Sequence, residues 1–94
     1  MRRVICSEFG PLDRLGVEQA ADPEPKPGEV LIAVRAAGVT FVDALLAQGR
    51  YQIKPPLPFT PGGEVAGVIV AVGEGVDPAR LDERVLVSCG VGGF

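Results

Sequence analysis

A chain of 94 residues with 47% hydrophobic residues, 22% charged residues and a net charge of −3 has the balance of one small globular domain, which excludes intrinsic disorder. It contains no histidine, so imidazole acid–base chemistry and imidazole metal sites are excluded, and Cys6 and Cys89 are too few and too far apart to hold zinc. No basic cluster exceeds Arg2-Arg3, no apolar stretch nears the ~20 residues of a membrane span, and no signal-like region opens the chain. These features predict a cytoplasmic protein with reduced thiols and no nucleic-acid or membrane partner.

The 13 glycines and 9 prolines favour short strands over long helices. Arg3 to Phe9 reads as a first strand that stops at Gly10-Pro11, and Leu15 to Ala21 as a second that stops at Asp22-Pro23. Pro27-Gly28 suits the centre of a type II turn. Glu29 to Ala37 follows as a strong strand, with Val30, Ile32 and Val34 on one face and Leu31 and Ala33 on the other.

Thr40 to Gly49 changes period. Phe41 with Leu45 and Val42 with Leu46 fall at i, i+4, as on one side of a helix of about two turns. Thr40 and Asp43 resemble a capping box, and Gly49 suits the left-handed position that ends a helix. Arg50 to Gly63, with Pro55, Pro56, Pro58 and Pro61, cannot be regular structure. Its Tyr51, Ile53, Leu57 and Phe59 predict a loop docked on the body of the domain or walling a cleft.

Glu64 to Val72 is the strongest strand, and Gly67 within it marks a bulge or a close backbone approach. Gly73-Glu74-Gly75 turns the chain toward a last strand, Arg84 to Cys89. The final Gly90-Val91-Gly92-Gly93-Phe94 reads as an irregular tail. The sum is a mainly β, barrel-like domain with one short helix, occupying residues 1–94.

Three blocks carry a resemblance. They are Ala36-Ala37-Gly38-Val39-Thr40-Phe41-Val42-Asp43, then Gly49-Arg50-Tyr51 leading to Lys54-Pro55-Pro56-Leu57-Pro58-Phe59-Thr60-Pro61-Gly62, then Glu64-Val65-Ala66-Gly67-Val68-Ile69. In this order they resemble the N-terminal, GroES-like domain of the medium-chain dehydrogenases/reductases. The nearest branch is similar to the zinc-independent, zeta-crystallin-like quinone oxidoreductases. The resemblance implies a partly open GroES-like barrel that meets a Rossmann domain across a cleft, where NADPH delivers hydride to a quinone or similar acceptor. No strand–GxGxxG–helix unit stands in these residues, so the nucleotide-binding domain is expected to be a separate, missing partner. Gly92-Gly93-Phe94 resembles the opening of the family's GGFAEY segment, so the chain is expected to be truncated there and inactive alone. A homodimeric parent is a further implication.

The resemblance also assigns residues. The zinc branch has a Cys ligand where this chain has Thr40 and a His ligand where it has Gly63, so no catalytic zinc is expected. Quinone oxidoreductases usually carry Asn at the Thr40 position, close to the nicotinamide. Thr40, Phe41 and Tyr51 are therefore the expected cofactor-side residues, and Tyr51 is the catalytic candidate. For each, a plainer role stands beside the functional one: helix cap for Thr40, core residue for Phe41, packed loop aromatic for Tyr51. Glu64 is either a buried acid or a carboxylate bonded to strand-start amides. Asp43 is expected to cap rather than catalyse, and Lys54 to be a solvated charge. Two other functions share the fold: an enoyl-thioester reductase domain and a co-chaperonin.

Overall fold

Two β-rich runs dominate, and they pair with each other. In the computed structural model, which describes residues 1–94, the strands are β1 (Arg2–Ile5), β2 (Gly16–Gln19), β3 (Val30–Gly38), β4 (Glu64–Val72) and β5 (Arg84–Ser88). A single helix, α1, spans Phe41–Gln48, and short 3₁₀ turns occupy Leu12–Arg14 and Pro78–Arg80. β1 pairs antiparallel with β2, and β3-β4-β5 form a second antiparallel sheet. This is the expected mainly β, partly open architecture. The radius of gyration, 14.2 Å, exceeds the ~12 Å of a compact chain this size. The two sheets therefore lie along a long axis instead of closing on one another.

β1 and β2 are shorter than their hydrophobic runs. They are fixed by the Ile5↔Gly16 end of the register and by Arg3 facing Glu18. That pair is an ion pair with Arg3 Nη2 2.6 Å from Glu18 Oε1. Beyond Ile5 the backbone leaves β2 and turns to the proline-rich loop. Cys6 and Phe59 exchange both of their backbone hydrogen bonds, at 2.8 and 3.0 Å. That exchange places the Phe59 ring inside.

The two-face expectation for β3 fails from Val34 on, where Val34 to Ala37 are exposed. Arg35 is an extra residue between Val34↔Gly67 and Ala36↔Ala66, and Val70 is an extra residue on β4 opposite Leu31 and Ile32. Each bulge inverts the alternation, which composition alone does not reveal. Gly67 itself is not bulged. A Cβ there would collide with the Ala33 carbonyl, so the residue permits the close approach of β3. Lys26 accepts from the Glu29 amide at 2.9 Å across Pro27-Gly28, with Gly28 at φ 79°, which is the expected type II turn.

The small core lies under α1. Cys6, Leu46, Ala47 and Phe59 are buried together, with Phe9, Leu15 and Tyr51 packed around them. Asp43, Leu46 and Ala47, at i, i+3, i+4, form the buried face of the helix. The expected Phe41 side is rotated away, leaving Phe41 76% exposed. Gly49 adopts φ 70°, as a left-handed helix terminus requires, and its missing Cβ leaves room for Phe9.

Only part of the proline-rich loop docks. Phe59 and Tyr51 turn inward, but Ile53 and Leu57 remain 63% and 40% exposed because no other element of the chain faces them. The glycine-rich end, in contrast, is an ordered part of the fold. Gly92, Gly93 and Phe94 donate to the carbonyls of Thr60, Gly62 and Pro61, and Phe94 accepts from the Val4 amide.

Candidate functional site

The end of β3 and the start of β4 bring the first and last resemblance blocks side by side. Gly38 faces Glu64 in the register, and the chain then passes through Val39 and Thr40 into α1. Thr40 sits at the N-cap in extended conformation, with φ −121° and ψ 166°. Its amide donates to Asp43 Oδ2 at 2.8 Å, and its hydroxyl donates to the same oxygen at 3.4 Å. The expected capping box is present, and the buried Asp43 carboxylate is its anchor.

Glycines shape the space beside this cap. A Cβ on Gly63 would lie 4.0 Å from Asp43 Oδ1 and 3.3 Å from the Gly90 carbonyl oxygen. Asp43, Gly63 and the Gly90 turn therefore meet at one corner. Glu64 does not point into that corner. Its side chain leans across Gly38, where a Cβ would collide with it. Glu64 is exposed, so the buried-acid reading is corrected, and no backbone amide donates to it. The glycine at position 38 leaves this carboxylate lying flat on the outer face of the sheet.

The expected cofactor-side residues are divided between the two ends of α1. Thr40 and Phe41 open the helix, and both are exposed. With Val39, 81% exposed, they make an apolar lip beside the Asp43–Gly63 corner. Tyr51 follows the C-terminal end, about 12 Å of helix further along. Its ring is half-buried against the Cys6–Leu46–Ala47–Phe59 core, which satisfies the plainer reading of this residue. Lys54 is exposed and forms no ion pair.

The largest cavity lies elsewhere. A groove of about 1130 Å³ runs between the two sheets, lined by Val4, Ile5, Leu31, Ile32, Val39 and Phe94 among others. It touches none of Thr40, Phe41 and Tyr51, and only Val39 joins it to the lip. Sequence reasoning missed this groove. The apolar residues that line it were legible as strands, but not as strands facing open space.

The titratable groups split sharply by burial. Burial pushes the Cys6 thiol above its ordinary value, partly offset by its hydrogen bond to the Glu8 carbonyl at 3.2 Å. At the surface, the hydrogen bonds from Arg80 hold the Glu83 carboxyl below its ordinary value. Neither group lies at the lip.

A mainly β domain with one capped helix set between its longest strands defines the GroES-like class. The model of the alcohol dehydrogenase GroES-like domain matches residues 26–93, and the chain belongs to that family, within the medium-chain dehydrogenases/reductases. It is 44% identical over 94 residues to a quinone oxidoreductase of Lama guanicoe, covering 99% of this chain and 28% of that protein. It is 43% identical over 89 residues to the human synaptic vesicle membrane protein VAT-1 homolog, covering 93% of this chain and 23% of that protein. The solved structure of Escherichia coli quinone oxidoreductase complexed with NADPH superposes with a TM-score of 0.86 at 28% identity, over 95% of this chain and 27% of that one. The chain thus spans about a quarter of the length of these relatives. No helix is long and apolar enough to cross a membrane.

Proposed function

We propose that these residues form the substrate-side domain of a cytoplasmic, NADPH-dependent oxidoreductase of the quinone reductase type. The observation that carries this reading is the exposed Val39–Thr40–Phe41 lip beside the Asp43–Gly63 corner, in a family whose NADPH-bound relative shares the fold. The lip fits one edge of a dihydronicotinamide. Thr40 offers a hydroxyl that can donate or accept, and Phe41 offers an apolar ring free of intramolecular packing. The cofactor, when bound, supplies the hydride. This chain's residues would orient it: the capping box fixes the Thr40 backbone, and Phe41 and Val39 exclude water from one face. Tyr51 would act from the far end of α1, lining the acceptor side of the cleft.

The second domain, which would hold most of the nucleotide, lies outside these residues, so the chain alone would be inactive. We also propose zinc independence, because the Thr40 hydroxyl and Gly63 offer neither the thiolate nor the imidazole that catalytic zinc favours. Identity to an oxidoreductase over nearly the whole chain favours this reading over a co-chaperonin.

The test is NADPH oxidation by the full-length parent with a small quinone and, separately, with an enoyl-thioester. Turnover with the quinone that survives a chelator supports the reading. Preference for the thioester replaces it with the enoyl-thioester reductase alternative. A rate abolished by the chelator overturns the metal-free assignment. Thr40→Asn should keep or strengthen cofactor binding. Tyr51→Phe should change turnover little if the ring only lines the cleft, and by roughly 10²–10⁴-fold if its hydroxyl gives a proton.

A further inference from the structure

The corner where Asp43, Gly63 and the Gly90 turn meet is walled by acceptors. The Cys89 and Gly90 amides donate to the Gly63 carbonyl at 2.8 and 3.3 Å, which holds the turn against Gly63. Gly90 has φ 75°, and the Val91 amide bonds back to the Cys89 carbonyl at 2.8 Å. The Gly90 carbonyl itself accepts nothing within the chain, and its oxygen lies 3.3 Å from where a Cβ on Gly63 would stand. Asp43 supplies the second acceptor. The residue is 6% exposed, and its Oδ2 is engaged by both the amide and the hydroxyl of Thr40. Its Oδ1 accepts no hydrogen bond and lies 4.0 Å from the same Cβ position. No fully enclosed side-chain oxygen lacks a partner, so Oδ1 is reached from outside.

We propose that this corner is a subsite for a free hydroxyl on the carbonyl acceptor, so that the preferred substrates are quinones bearing a hydroxyl group. The inference rests on the quinone reductase reading above and adds the class of acceptor. An oxygen seated near the empty Cβ position comes within reach of both Asp43 Oδ1 and the Gly90 carbonyl. Both of these are acceptors, so the occupant must donate. A hydroxyl gives its proton to Oδ1, where the bond is charge-assisted, and can share it with the Gly90 carbonyl. An ether or carbonyl oxygen in the same place meets two acceptors and satisfies neither.

The rest of the chain leaves this place unclaimed. Asp43 forms no ion pair, and no cluster of metal-ligating side chains includes it. The backbone at Gly63 does not require glycine, since the residue is not among those with positive φ. What glycine does there is leave room between Oδ1 and the Gly90 carbonyl. The same carboxylate joins the corner to the lip, because its other oxygen holds Thr40. A planar ring against Val39 and Phe41 therefore stands one carboxylate away from the corner, the span of a short substituent.

The experiment is calorimetric titration of the full-length protein with a hydroxymethyl-substituted naphthoquinone and with its methyl ether. NADP⁺ is present, since it carries no hydride to transfer. The hydroxyl compound should bind about tenfold tighter, the difference made by one hydrogen bond to a carboxylate. In Asp43→Asn the Thr40 amide still needs an oxygen, so the new amide turns its NH₂ toward the corner and a donor replaces Oδ1. The preference should vanish or reverse. In Gly63→Ala a methyl takes the corner, and the two compounds should bind alike. This variant keeps the proposal testable if Asp43→Asn fails to fold. Equal binding of the two compounds by the wild type overturns the proposal, as does a preference that both variants retain. Turnover of the hydroxyl compound with NADPH is measured separately. A binding preference without turnover refutes the reductase reading and leaves the subsite standing.

Discussion

The core beneath α1 and the three-stranded sheet use similar apolar residues to different ends. Under the helix, Leu46, Ala47, Cys6 and Phe59 are enclosed on all sides, and Phe9 meets Phe59 at 6.3 Å between ring centroids. On the sheet, Val65 and Ile69 are buried, but Val34, Val70 and Leu86 stand 47%, 49% and 87% exposed. The first region holds the fold, while the second presents apolar surface. Composition cannot separate the two, because burial is a property of what covers a face rather than of the face itself.

That contrast is easiest to break with two leucines. Leu46→Ala should cost about 2–5 kcal/mol, from lost transfer energy and the cavity left against Phe59. Leu86→Ala should stay within about 0.5 kcal/mol, because the side chain is 87% exposed. Denaturant unfolding measures both. Equal losses would mean that the sheet is as enclosed as the helix side.

The sheet has one point as demanding as the core, and it is backbone. Gly67→Ala should cost about 1–3 kcal/mol, because the new methyl meets the Ala33 carbonyl and no rotamer relieves it. Gly75→Asn is the control, since that glycine has φ 86° and open space around its Cβ position, and asparagine tolerates the left-handed region. Unfolding of both variants should separate packing strain from turn strain.

The capping corner should rank next. Asp43→Ala removes the buried carboxylate that holds the Thr40 amide and should cost about 1–2 kcal/mol. Thr40→Val keeps that amide and loses the hydroxyl's part in the capping box, so it should cost less, about 0.5–1 kcal/mol. If the order reverses, Thr40 is the structural cap, and its role at the lip is weakened.

Much of this was legible in the sequence. The β4 run, the Pro27-Gly28 turn, the Gly49 terminus and the Thr40–Asp43 cap follow from local chemistry, and each stands where its residues put it. What escaped were relations between distant residues. The bulges at Arg35 and Val70 depend on how two strands slide to pair. The outward turn of Phe41 depends on where Cys6 and Phe59 meet. The docking of Gly92, Gly93 and Phe94 depends on Gly62, whose φ of 107° and missing Cβ admit the returning chain. For the candidate site, the spacing identified Thr40 and Asp43 as neighbours. The same spacing put Tyr51 past the other end of the helix, but it left open whether the ring lines a cleft or packs on the Cys6–Leu46–Ala47–Phe59 core.

The two cysteines sharpen the comparison at its smallest energetic scale. Cys6 is 1% exposed and inside the core, while Cys89 follows β5 at the surface. An exposed thiol should be modified by a thiol reagent at once, and Cys6 only as fast as the core opens. Burial also holds the Cys6 proton more tightly in the folded chain than in the unfolded one. A group whose value is raised on folding contributes stability fully below its unfolded value. For a thiol that value is about 8.5, and the contribution is lost as pH rises from there through the folded value. Thermal unfolding should therefore show Tm flat from neutral pH to about 8, then falling more steeply for the wild type than for Cys6→Ala. The variant starts lower, having lost the thiol's packing, but lacks this titration. Parallel alkaline slopes would mean that the Cys6 thiolate is already accommodated in the core. The enclosed region would then be wetter than its geometry indicates.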